Sequence, residues 1–145
     1  MAGTVTEVLS GQGSFGQKNE TRIVTLTCVA DAADGSIPAT TLSDITVGIL
    51  KDGYALFKGQ VIPGATAPTA DSDLYLKDSN GIDLLGSAGV DQIAAATPLE
   101  FLPLIGTNVS LQPITDALVF SVANNSVNSA TFKVLFVFVK LREVG

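Results

Sequence analysis

Apolar and polar residues alternate with a period of two along most of the chain, as in residues 21–30 (TRIVTLTCVA), and β-branched residues are frequent. This is the mark of strands with one face buried. Strands are predicted at residues 4–9, 21–30, 45–50, 54–62, 73–77, 118–122 and 131–141. Turn chemistry separates them: Asp34-Gly35-Ser36-Ile37-Pro38, Lys51-Asp52-Gly53, Pro63-Gly64, Asp78-Ser79-Asn80-Gly81 and Ala123-Asn124-Asn125-Ser126. Asp52-Gly53 predicts a tight hairpin between residues 49 and 56, because Asp-Gly supplies the positive φ that such a turn demands. Residues 90–97 are Ala-rich and end before Pro98, so they predict either a two-turn helix or a turn. Residues 99–105 read as extended. Short, evenly spaced strands with Gly, Pro and Asn turns predict an all-β fold, an antiparallel β-sandwich of jelly-roll-like type with about eight strands.

The run Val134-Leu135-Phe136-Val137-Phe138-Val139 departs from the alternation. Successive strand residues point to opposite sides, so both faces of this strand are apolar and both need cover. Residues 99–105 could supply the second cover from within the chain, as for a strand buried centrally. A second copy could supply it instead, since an uncharged run of this kind is an aggregation hazard when left open. The reading taken is subunit contact, with Val134, Phe136 and Phe138 as interface residues of a homo-oligomer, a trimer being favoured. Phe15, in the glycine-rich stretch Gly11-Gln12-Gly13-Ser14-Phe15-Gly16-Gln17, either tucks back onto the domain or joins that interface.

Composition narrows the function. The chain has 145 residues, one domain by size, with residues 1–18 as an N-terminal arm and loop. Charged residues make up only 15% and the net charge is −6, which lacks the basic footprint that nucleic-acid binding requires. There is no histidine, so Ser-His-Asp and Cys-His catalysis and His-ligated zinc are excluded. A single cysteine, Cys28, cannot close an intrachain disulfide. No stretch approaches the roughly 20 apolar residues of a membrane helix, and residues 1–7 do not predict a signal peptide. No cofactor and no membrane partner are expected.

Carboxylates are the remaining reactive groups. Asp78, Asn80 and Asp83 surround a Gly turn, with Asp71 and Asp73 just upstream, so oxygen ligands for calcium could gather there. An EF-hand loop would continue to a bidentate Glu at its twelfth position, where this chain has Gly89. The competing reading is that Asp78 and Asn80 are β-turn formers whose side chains serve backbone donors. Glu100, within an apolar stretch, is the one acid whose pKa burial could raise, unless it points to solvent. No supporting group accompanies it, so no catalytic residue is assigned.

Residues 67–86, APTADSDLYLKDSNGIDLLG, carry the pattern Asp78-x-x-Gly81-x-Asp83-Leu84-Leu85-Gly86, flanked by Val61-Ile62-Pro63-Gly64 and Phe101-Leu102-Pro103-Leu104. This resembles a recurring pattern in small β-rich virion structural proteins of tailed bacteriophages, among them capsid decoration or cement subunits. The resemblance covers the middle third of the chain, and elsewhere only the β-rich character agrees. It implies a non-enzymatic structural role in the virion, assembled in the host cytoplasm, with the major capsid protein or other virion proteins as partners. Residues 3–9 or the loop 11–18 would be the reaching arm. A place in the neck, tail or baseplate is equally open to such a protein, and a carbohydrate- or receptor-binding module with calcium at Asp78, Asn80 and Asp83 is the alternative of another class.

Overall fold

Alternation along the chain becomes layering in space. The computed structural model describes residues 3–12, 21–93 and 97–141. In chain order the elements are β1 (Thr4–Gln12), β2 (Thr21–Val29), β3 (Thr40–Thr41), α1 (Asp44–Leu50), β4 (Tyr54–Pro63), β5 (Asp73–Lys77), β6 (Leu99–Phe101), β7 (Leu104–Ile105), β8 (Asn108–Val109), β9 (Gln112–Pro113), β10 (Val119–Ala123) and β11 (Thr131–Lys140). The fold is an all-β, antiparallel sandwich, as the periodicity predicts. Its larger sheet runs β1-β2-β11-β4-β6, with β9 also on β4, and its smaller sheet runs β3-β10-β5. The strand count exceeds the expected eight because four of the segments are two-residue pieces, β3 and β9 at sheet margins and β7 and β8 paired as a separate two-stranded sheet.

The core lies between the sheets. Val24, Leu26 and Cys28 of β2 are buried beside Phe132, Val134, Phe136 and Phe138 of β11, with which they are in register, Cys28 opposite Phe132 and Val24 opposite Phe136. Across the sandwich, Phe120 of β10 meets Phe136 edge to face, ring centroids 6.0 Å apart at 71°. Burial of each such side chain contributes about 1.5–3 kcal/mol.

Residues 45–50 form helix α1, not the predicted strand. Their β-branched residues, Ile45, Thr46, Val47 and Ile49, read as a strand, but the ends decide otherwise. Ser43 is the N-cap, its hydroxyl accepting from the Thr46 N–H at 3.2 Å. The acid that a capping box takes from the helix's own third residue comes here from β1: Glu7 Oε1 accepts the Ser43 N–H at 2.9 Å, and Oε2 accepts the Thr46 hydroxyl at 2.5 Å. The Val47 and Leu50 side chains, three residues apart, are buried with Thr46. The Asp52-Gly53 turn is present, Gly53 at φ +88°, but it joins a helix to β4 and makes no hairpin.

The stretch 90–97 shows no helix among its described residues. Val90 to Asp91 is a turn, and Ile93 is buried and bridged to Ser72, its N–H bonding the Ser72 carbonyl at 3.1 Å. Residues 4–9 are also no free arm: Thr4 to Gln12 pair with β2 over their whole length. The rest of the predicted loop, with Phe15, lies outside the described residues.

Candidate interaction surface

Residues 67–86 are organised by carboxylates that accept from backbone N–H groups. Asp78 Oδ1 accepts the N–H groups of Asn80 at 2.9 Å and Ile82 at 3.0 Å, closing a turn in which Gly81 takes φ +81° and Asn80 is exposed. Asp83 Oδ1 accepts from the backbone of Leu76 at 3.1 Å and Leu85 at 3.2 Å, and its Oδ2 from Ser87 at 3.2 Å. That ties the loop to β5 and sends Leu84 and Leu85 into the core. Asp73 is buried, accepting from the Asp91 N–H at 2.7 Å and the Asn124 side chain at 2.6 Å.

Asp78 and Asp83 line one small cavity of about 160 Å³ together with Asp116, a residue that no local pattern joins to them. The Ser79 hydroxyl and the Ala117 N–H bond Asp116 and hold its carboxyl below the usual range. Among the described residues no group of three or more His, Cys, Asp or Glu is placed to hold a metal ion. The oxygens of Asp83 are occupied by backbone donors instead. Asp83→Ala strands three N–H groups, so the unfolding free energy in urea should fall by about 2–4 kcal/mol, with Asp83→Asn recovering part of it. The melting temperature of the native protein should be the same with calcium as with a chelator.

The expected interface residues Val134, Phe136 and Phe138 are wholly buried within the chain. β11 sits between β2 and β4, and its even positions face the smaller sheet, so they belong to the core and cannot reach a partner. The opposite face carries Leu135, Val137 and Val139. Beside it lies a β-bulge: the β11–β4 register slips between Val137, opposite Lys58, and Phe138, opposite Leu56. Phe57 is left over, unpaired, and stands 40% exposed.

The return from β6 to β9 borders this outer face, as residues 99–105 were expected to in the alternative reading. The cover is incomplete. Phe57 and Val139 from the sheet, with Leu102, Val109, Ser110 and Leu111 from the return, line an apolar groove of about 390 Å³. The sequence signal for it was the loss of alternation in Tyr54-Ala55-Leu56-Phe57, where a bulge throws one more apolar side chain outward.

Glu100 points to solvent. It bonds Lys58 at 2.6 Å and receives the Gln60 amide at 3.0 Å, and the Lys58 hydrogen bond, with Gln60 adding to it, holds its carboxyl below the usual range. Its pKa therefore moves in the direction opposite to the one burial would give, because β4 places Lys58 and Gln60 on the same outer face.

No protein-family model matches the chain. No curated protein matches it. A chain in the solved structure of the cyanophage Pam1 capsid asymmetric unit is similar over 88% of this chain and 89% of that chain, at 17% identity and a TM-score of 0.43.

Proposed function

We propose that the protein is a non-enzymatic structural component of a tailed-bacteriophage virion, a capsid decoration or cement subunit that binds the major capsid protein. The observation that carries the reading is the apolar groove of Phe57, Leu102, Val109, Leu111 and Val139 beside the larger sheet. On a chain with only 15% charged residues, an open apolar patch is the feature that a protein partner would cover. The phage-like segment 67–86 supports the same reading. Its Asp78 and Asp83 serve backbone donors, which suits a scaffold. Each copy would seat apolar side chains of neighbouring capsid subunits in the groove, so that apolar burial resists separation of the shell.

The test is co-sedimentation of purified protein with phage heads, tails and baseplates. Wild-type protein should sediment with heads. Phe57→Glu, on the exposed bulge where the fold tolerates charge, should weaken that binding at least tenfold, by about 1.4 kcal/mol or more, while leaving the circular dichroism unchanged. Binding to tails or baseplates alone would move the protein elsewhere in the particle. Equal binding of the Phe57→Glu variant would refute the groove as the contact.

A further inference from the structure

β1 has nine residues and pairs with β2, and among the described residues no strand pairs with its other edge. Open edges in monomeric proteins are blunted by charged side chains, proline, bulges or short length. Of these β1 has one charge, Glu7, while its register with β2 is unbroken from Thr4 to Gln12 and its sequence TVTEVLSGQ contains neither lysine nor proline.

Its side chains are also arranged for a partner strand. Thr4, Thr6, Val8 and Ser10 are exposed and uncharged, Val8 to 55%. The single charge, Glu7, is on the other face and already held by Ser43 and Thr46. Between those two residues in sequence stands Ile45, 77% exposed.

We infer that β1 pairs antiparallel with β1 of a second copy, joining two larger sheets across a two-fold axis at Val8. The occupant is set by complementarity. An extended backbone takes up the N–H and C=O groups of the edge in register, in place of water. With the axis at Val8 all nine residues pair, Thr4 with Gln12, Thr6 with Ser10, Val8 with Val8, and each Glu7 faces Leu9 of the other copy. An axis one residue earlier would set the two Glu7 carboxylates directly opposite, which is unfavourable. In a chain of net charge −6, an edge whose one charge, Glu7, is already held by Ser43 and Thr46 of its own chain is where two copies can meet without carboxylates set directly opposite. Such a contact is the same patch on both subunits and closes at two, whereas the trimer expected from the sequence would need a head-to-tail surface.

Light scattering on the purified protein at high micromolar concentration tests this without any capsid, so its outcome is separate from that of the virion reading. The wild type should have the mass of two chains. Val8→Lys and Val8→Glu should each have the mass of one chain, because each puts like charges across the axis, and Val8→Thr should remain a dimer. An equimolar mixture of Val8→Lys and Val8→Glu should recover the two-chain mass, a rescue that only Val8 facing Val8 permits. Circular dichroism checks that each variant is folded, as substitution at an exposed edge position should allow. A monomeric wild type, a trimer, or a dimer indifferent to Val8→Lys would overturn the proposal. So would a failure of the mixture to pair.

Discussion

Gly86→Ala should lower the unfolding free energy by about 3–4 kcal/mol. Two independent effects combine at this position. Gly86 takes φ +60°, where an L side chain costs roughly 1–2 kcal/mol. A Cβ built there would also lie 1.8 Å from the Leu104 carbonyl oxygen. That obstacle is backbone, and it is fixed, since the Leu104 N–H bonds the Leu85 carbonyl at 3.1 Å. The clash can be relieved only by moving the β5–β6 connection off β7.

Gly81→Ala separates the two effects. Gly81 also has positive φ, +81°, but a Cβ there meets nothing within 4 Å. Its substitution should therefore show only the dihedral cost, about 1–2 kcal/mol. Urea denaturation of both variants measures the difference, and equal losses would show that the contact with Leu104 is not the cause.

Cys28 should be alkylated at least about a thousandfold more slowly in the native protein than in the unfolded chain at pH 8. Burial between the sheets pushes its thiol up from the ordinary 9.0 to about 12. The nucleophile is the thiolate, and the native state holds almost none of it at that pH. Labelling should then proceed through opening of the sandwich, so Gly86→Ala should accelerate it in proportion to the stability lost.

The sign of the pH dependence follows from the same shift. Below about pH 9 both states keep the proton, and the thiol makes no difference to stability. Between about 9 and about 12 the unfolded chain loses a proton that the native state retains, so stability falls as pH rises. Cys28→Ala should remove that part of the alkaline slope. Rapid labelling of the native wild type at pH 8 would contradict the burial of Cys28 beside Phe132.

The chain by itself determined the fold class and most strands. Period-two alternation in residues 21–30, 54–62, 73–77 and 131–141 depends only on which side chains avoid water, and β2, β4, β5 and β11 appear at nearly those bounds. The loop at Asp78 and Gly81 was also legible, as turn formers act on backbone groups a few residues away.

Tertiary structure decided what local pattern leaves undetermined. Residues 45–50 are helical because Glu7, far off in sequence, completes the N-terminal cap, and no local signal announces a capping acid from another strand. In β11 both parities are apolar, so the sequence could not say which faces inward. The choice of Val134, Phe136 and Phe138 for the core followed from the smaller sheet lying on that side. The bulge at Phe57 and the return carrying Leu102, Val109 and Leu111 then made a groove of residues from distant segments. A site assembled across sequence separations of this kind is fixed by packing, and packing is specified only once the sheets have met.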